Sequence, residues 1–108
     1  MSDNQRCLLT IVTESALENT VLKTLSSFGA KGYTISDARG KGSRGVRNAG
    51  WDASANIRVE VLGETAMIED IAQHLQNNYY ENYAMILFMQ DVNVLRPDKF
   101  SGRSGRND

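Results

Sequence analysis

Glycine alternates with cationic and hydroxyl residues in one segment, from Gly40 to Arg47, whose sequence is GKGSRGVR. Glycine leaves backbone amides open to approach, and such amides beside lysine and arginine form an arrangement that binds phosphate oxygens. Arg44 and Arg47 are three residues apart, so a turn would bring both guanidinium groups to one polyphosphate. The segment therefore predicts an anion site, and the alternative is a solvated, flexible basic loop.

Other residues that could carry catalysis have no partner at a useful spacing. Cys7 is the only cysteine and opens an apolar strand, which favours a buried structural thiol over a nucleophile. His74 is the only histidine and lies within a helical pattern, so we expect no metal site. A Walker A loop needs a glycine five residues before Gly40, where Ile35 stands. We expect a binding protein and not an enzyme.

Positive charge is concentrated in two short segments, although the chain of 108 residues has a net charge of −1. Residues 39–54 carry a balance of +3 and residues 96–108 a balance of +2, which leaves −6 for the rest. This asymmetry predicts two loops that meet an anion. Trp51, the only tryptophan, lies in the first loop, where we expect it to contact a partner or to anchor one state of the loop.

The apolar pattern predicts four strands and two helices. Cys7–Thr13 is β-branched and apolar, as in a strand. A helix follows, with Ser15 and Glu18 at the spacing of a capping box and Gly29 at the position of a C-terminal cap. Three further strands are predicted at Gly32–Ala38, Ala55–Leu62 and Ala84–Met89, and a second amphipathic helix at Glu64–Asn78.

The resulting order, βαββαβ, predicts an α+β fold of the ferredoxin-like type, with a four-stranded antiparallel sheet and both helices on one face. A strand with water on one side should alternate between apolar and polar residues. Two of the predicted strands do not alternate, because apolar residues point to both faces; they are Leu8, Leu9, Ile11 and Val12 in the first strand and Met85–Met89 in the last. We therefore expect a second copy of the chain to cover the other face, in a homo-oligomer.

Residues 39–54 interrupt what would otherwise be a hairpin between the second and third strands. Hairpin loops usually run two to five residues, and loops above about twelve tend to be functional or disordered. The four glycines of this loop keep it from packing a core, so its role is expected to lie outside the fold.

The length allows one domain, residues 1–108. The segment Met1–Arg6 is polar and shows no secretory signal, and the longest apolar run, Ala84–Met89, is too short to span a bilayer. A single cysteine fits a reducing compartment. The expected location is the cytoplasm.

Nucleic-acid binding through the same loop and the RSGR tail is the alternative function, as an RNA-binding module. The slightly negative net charge and the lack of a basic stripe argue against it. RNA-binding sheets of ferredoxin-like plan carry aromatic residues on their central strands, whereas Ile57–Glu60 here contains none. We expect no nucleic-acid partner.

The element order, the long loop and the string ARGKGSR at Ala38–Arg44 resemble the PII signal-transduction superfamily, in which the loop at this place is the T-loop. The resemblance is closer to the PII-like proteins associated with bicarbonate transport and carboxysomes, and it covers the chain from Leu9 to Gly102. The matching pieces are Gly29–Thr34, Gly40–Arg44, Val46–Arg47, Ala55–Ile57 and Tyr83–Ala84.

This resemblance implies a homotrimer that binds adenine nucleotides (ADP, AMP or ATP) in clefts between subunits, with bicarbonate as a further ligand. The implied role is a sensor of inorganic carbon or of adenylate energy state. Its T-loop, about residues 39–54, would engage a bicarbonate transporter or a carboxysome component. By position, phosphate contacts fall to Gly40, Lys41, Gly42, Ser43, Arg44 and Arg47, and base or ribose contacts to Tyr83, Ala84 and Ile86. Cations of the C-terminal tail, residues 96–108, add Arg96 and Arg103.

Three departures from the family pattern matter. The T-loop contains no tyrosine, so uridylylation has no acceptor there. The glycine-rich loop that ordinary PII proteins carry before the last strand is replaced by Tyr80–Tyr83, with the sequence YENY. Ser101 and Arg106 stand where transporter-associated relatives often have cysteines, so we expect no disulfide-controlled tail.

Overall fold

The computed structural model describes residues 4–40 and 55–100, which form a four-stranded antiparallel sheet with its helices on one face. The strands are β1 (Gln5–Glu14), β2 (Tyr33–Ala38), β3 (Asn56–Gly63) and β4 (Met85–Asn93), and the α-helices are α1 (Glu18–Ser27) and α2 (Thr65–Tyr79). The strand order across the sheet is β2-β3-β1-β4. The predicted ferredoxin-like βαββαβ fold is confirmed.

The hydrophobic core lies between the helices and one face of the sheet, because alternate strand residues point to that face. In the register, Leu9 of β1 stands opposite Val61 of β3 and Met89 of β4. The predicted inward stripes of both helices are buried or half-buried there. The most deeply buried apolar residues are Leu9, Ile11, Val21, Leu25, Val59, Ile68, Ile71 and Leu75.

The start of α1 differs from the sequence prediction. The capping box at Ser15 and Glu18 is wrong, because residues Ser15–Leu17 form a 3₁₀ turn and the α-helix begins only at Glu18. The amide of Glu18 donates to the backbone carbonyl of Ser15, and neither the turn nor the helix has a side-chain cap. Ser15 stays at the end of the sheet because its own amide donates to the carbonyl of Ala55 at 2.9 Å.

The predicted C-terminal cap of α1 is confirmed. Gly29 has a φ of 86°, in the left-handed region that favours glycine. The amide of Gly29 donates to the carbonyl of Ser26, and the amide of Ala30 donates to that of Leu25, both at 3.0 Å. This pair of bonds is a Schellman motif, and it turns the chain back toward β2.

Strand β4 is four residues longer at its C-terminal end than the apolar run predicts. The added residues Gln90–Asn93 are mostly polar, so the apolar pattern does not reach them. They pair with Gln5–Leu8 of β1, whose backbone groups extend the ladder regardless of side-chain type.

The second face of the sheet, called here the open face, carries exposed apolar residues. Ile86 and Phe88 of β4 point to it and are 56% and 45% exposed. Leu8 and Val12 of β1 lie beside them and are half-buried. This arrangement matches the expectation that the last strand is apolar on both sides.

Thr10 supplies a test of packing on the open face. It is fully buried between the cross-strand neighbours Glu60 and Phe88, and its hydroxyl has no hydrogen-bond partner among the described residues. A buried polar group without a partner is destabilising. We expect Thr10→Val to raise the free energy of unfolding by about 1 kcal/mol in urea titrations.

Thr13→Val is the matched control. Thr13 is also buried, at 2% exposed, but its hydroxyl donates to the carbonyl of Ala84 at 2.8 Å. Its loss should lower the free energy of unfolding by about 1–3 kcal/mol. Equal losses from both substitutions would show that the hydroxyl of Thr10 is satisfied in solution.

Candidate functional site

One end of the sheet carries the base of the long loop and the start of β4 in a single row. The register places Ala38 opposite Asn56, and Asn56 opposite Glu14. The row ends at Ala84, whose amide donates to Oε2 of Glu14 at 2.8 Å. The row crosses three strand spacings, about 14 Å.

The structure brings some of the predicted site residues to this end. Gly40 lies two residues beyond β2, at the edge of the sheet, where a Cβ would meet no atom within 4 Å. Tyr83 and Ala84 lie just before β4, at the opposite edge, and Ile86 points from β4 to the open face. Within one chain, Gly40 and the Tyr83–Ile86 group therefore share an end of the sheet but not an edge.

Arg96 lies at the other end of the sheet. It follows β4, whose last residue, Asn93, stands opposite Gln5. Gln5 is nine residues before Glu14 on the same strand, a separation of about 30 Å. One chain does not bring Arg96 to Gly40 or Ala84.

The remaining predicted site residues lie outside the described residues. They are Lys41, Gly42, Ser43, Arg44, Arg47 and Arg103. Their contacts with phosphate stay a prediction, as do the role of Trp51 and that of the tail beyond residue 100.

A cleft that the sequence did not predict opens on the open face. After β4 the chain forms a 3₁₀ turn, Pro97–Phe100, called here the strap, which packs back across β1. Between the strap and the start of β2 lies a cleft of about 300 Å³. Its apolar side chains are Leu8, Leu62 and Phe100, and its polar ones are Lys31, Tyr33, Thr34, Glu60 and Lys99.

Arg6 holds the strap in place. Its Nε donates to the carbonyl of Phe100 at 3.1 Å and its Nη2 to that of Pro97 at 2.9 Å, while its Nη1 donates to the carbonyl of Gln5 at 2.7 Å. Hydrogen bonds from a charged donor are stronger than neutral ones. The cleft therefore depends on a contact between residues 94 positions apart in the chain, and no local pattern could have indicated it.

The chemistry of the cleft suits a flat, partly polar ligand with an anionic group. The leucines and the Phe100 ring offer apolar contact, and Thr34 and Glu60 offer hydrogen bonds. Lys31 and Lys99 supply positive charge, and the ammonium of Lys99 lies 5.9 Å from the centre of the Phe100 ring. An aromatic base that carries phosphate meets these requirements.

The other reactive residues have structural surroundings. Cys7 is buried in the core, and its burial, with smaller effects from Asp91 and Glu69, raises the pKa of the thiol above its ordinary value. The thiolate is therefore disfavoured, which confirms the interpretation of Cys7 as structural. The ring of His74 packs edge-on against Phe28 at 5.6 Å.

Within residues 4–40 and 55–100, no group of three or more His, Cys, Asp and Glu residues could hold a metal ion. Neither described helix has the length and apolar content to cross a membrane.

Comparison with known proteins gives the family. The sequence model of the family "Nitrogen regulatory protein P-II" matches residues 6–99, which includes both described α-helices and every described strand except the first residue of β1. The chain belongs to the P-II family. This confirms the resemblance drawn from the element order and the ARGKGSR string.

Solved structures agree with this assignment. A PII-like signalling protein of Thermus thermophilus is 42% identical, with a TM-score of 0.75 over 89% of this chain and 95% of that one. CPII, a nitrogen regulatory PII-like protein of Thiomonas intermedia, was solved with ADP, AMP and bicarbonate bound. It is 26% identical, with a TM-score of 0.77 over 91% of this chain and 95% of that one.

Another structure of CPII holds ADP and bicarbonate. It is 28% identical over 89% of this chain and 94% of that one, with a TM-score of 0.76. The chain is therefore a PII-like protein in sequence and in fold.

The attachment of the strap can be tested with Arg6→Ala. Loss of the guanidinium leaves the carbonyls of Pro97 and Phe100 without their donor, so the strap should detach. We expect trypsin to cleave after Lys99 at least about tenfold faster, and the free energy of unfolding to fall by about 1–2 kcal/mol.

Arg58→Ala is the control for the loss of an arginine. Arg58 makes an exposed ion pair with Glu60 at 3.3 Å, and such pairs are worth about 0–1 kcal/mol. Its cleavage rate after Lys99 should match the wild type. The same slow cleavage in Arg6→Ala would contradict the role of Arg6.

Proposed function

We propose that this chain is a PII-like regulator that binds adenine nucleotides in clefts between the subunits of a homotrimer. Membership of the P-II family and the ADP and AMP bound by CPII support this proposal. The observation that carries it is the separation of Gly40 and Ala84 by the width of the sheet, about 14 Å. One chain cannot close both groups around the same small ligand, whereas two adjacent chains can.

A cyclic trimer has the symmetry for such a site. Its contacts are heterologous, so one patch of each subunit meets a different patch of the next subunit. The two edges of this sheet differ in the required way, with the cleft and Gly40 on the β2 side and Tyr83–Ile86 on the β4 side. In the proposed trimer the nucleotide lies between the β2 side of one subunit and the β4 side of its neighbour.

The cleft beneath the strap is the proposed position of the base. Its apolar side chains match the faces of an aromatic ring, and its hydroxyl and carboxylate match polar ring edges. Strand β2 leads from this cleft toward Gly40, where the T-loop begins. The phosphates then lie near Lys41, Ser43, Arg44 and Arg47, where charge and glycine are concentrated in the sequence.

Bicarbonate is the second proposed ligand, supported by its presence in two structures of CPII. The protein then reports inorganic-carbon or energy status to a partner protein through the T-loop, acting in the cytoplasm as a regulator and not as an enzyme. A bicarbonate transporter or a carboxysome component is the proposed class of partner. The loop without tyrosine fits this role better than one regulated by uridylylation.

Assembly is the first test. Burial of Ile86 and Phe88 between subunits favours association, so we expect a sedimentation mass of three chains at micromolar concentration. Phe88→Glu should dissociate the trimer, because an unpaired charge in the interface is costly. Lys23→Glu on exposed α1 is the control and should stay trimeric. A wild-type protein that sediments as a monomer would contradict the proposed assembly.

Nucleotide affinity is the second test. Arg47→Ala should weaken ADP binding in calorimetry by about tenfold or more, since a charge-assisted bond to phosphate is worth roughly 1.5–3 kcal/mol. The trimer should persist, because an exposed glycine-rich loop adds little to the core. Arg103→Ala should have a smaller effect. Unchanged ADP affinity in Arg47→Ala would show that the T-loop is not the phosphate site.

The same titrations should include AMP, ATP, bicarbonate and a short RNA of mixed sequence. We expect RNA binding to be weak and to fall steeply with salt. Submicromolar affinity for the RNA at physiological salt, without ADP binding, would favour the RNA-binding alternative.

A further inference from the structure

The ladder between β1 and β4 ends in side-chain hydrogen bonds. The strand register runs as far as Thr13 opposite Met85. Ala84, one residue further, is held by two consecutive side chains of β1. Its amide donates to the carboxylate of Glu14, and its carbonyl accepts from the hydroxyl of Thr13, both at 2.8 Å.

These two side chains hold Ala84 from opposite faces of the sheet. Thr13 points to the helix face and is 2% exposed, while Glu14 points to the open face and is half-buried. Both polar backbone groups of Ala84 are therefore fixed by residues 70 and 71 positions away. The position of the turn before β4 depends on the identity of residues 13 and 14, which is unusual for the end of a backbone ladder.

The backbone of β1 turns away from β4 at the same point. The amide of Ser15 donates to the carbonyl of Ala55, at the start of β3. The Glu14 side chain therefore has to reach Ala84 while its own backbone follows β3. No backbone bond replaces this contact if the carboxylate is lost.

The turn itself presents exposed aromatic and apolar groups. Tyr83 is held by its amide, which donates to the carbonyl of Tyr79 at 3.0 Å, and by the ring of Tyr79 at 5.9 Å. The hydroxyl of Tyr80 accepts from the amide of Leu87 at 3.2 Å. Tyr83 and Ile86 remain exposed on either side of Ala84. A rigid turn with exposed rings can distinguish one flat ligand from another only if the turn is held in place.

We propose that Glu14 is a positioning residue that sets the preference for adenine over guanine. It does so by holding Ala84, and with it Tyr83 and Ile86, at one height above the sheet. This inference rests on the proposed function, since it needs a purine nucleotide beside the turn. Glu14 acts through the turn and does not touch the ligand.

The contact needs an acceptor oxygen and not a negative charge. The amide of Ala84 is a donor, which a glutamine side-chain oxygen satisfies as well as a carboxylate. Glu14→Gln and Glu14→Leu are therefore a matched pair. Both remove the charge and keep a similar volume, and only the leucine lacks the acceptor.

The experiment measures the affinities of trimeric protein for ADP and GDP by calorimetry, with a thermal melt of each variant. Wild type should prefer ADP. Glu14→Leu should reduce the ratio of ADP to GDP affinity at least about fivefold, while Glu14→Gln stays within about twofold of wild type. Thr13→Val, which removes the other bond to Ala84, should reduce the ratio in the same direction. Glu81→Ala removes an exposed carboxylate of the same turn and should leave the ratio unchanged.

The ratio separates positioning from general stability. A variant that only destabilises the fold weakens both nucleotides equally and leaves the ratio at its wild-type value. Such a result in Glu14→Leu, with ADP still preferred by wild type, would overturn this inference alone. If wild type binds neither nucleotide, the proposed function fails and this inference fails with it. If Glu14→Leu does not fold, the ratio in Thr13→Val decides.

Discussion

Two helices, α1 and α2, cover only one face of the four-stranded sheet, and this leaves the other face with apolar surface that water does not solvate well. The chain covers part of that face itself, since Arg6 draws the strap across β1 and creates the cleft. Ile86 and Phe88 stay exposed beyond the strap. A second subunit is the natural cover for them, so assembly and ligand binding are expected to use the same face.

The direction of the strands then decides where the parts of the site lie. Because β2 ends and β4 begins at the same end of the sheet, Gly40 and Ala84 lie in one row, but β3 and β1 stand between them. Arg96 lies about 30 Å away at the other end. A site divided in this way is incomplete in one chain and complete between chains, which couples nucleotide binding to the oligomer.

The turn before β4 shows how the chain departs from the family pattern without losing the fold. Ordinary PII proteins have glycines there, whereas this chain has YENY at Tyr80–Tyr83. Glycine-rich turns owe their shape to backbone freedom. Here the shape is set by side chains instead: ring contact between Tyr79 and Tyr83, the hydroxyl of Tyr80, and the bonds of Thr13 and Glu14 to Ala84.

The amino-acid sequence by itself determined the element order, the faces of the strands and helices, the cap at Gly29 and the family, because periodicity and caps depend on residues a few positions apart. It misplaced the start of α1 and shortened β4, where bonds from Ala55 and β1 override the local pattern. Only the tertiary structure decided that Glu14 holds Ala84 and that Arg6 holds the strap. These contacts join residues 70 and more than 90 positions apart, and a single sequence carries no signal for contacts of that range.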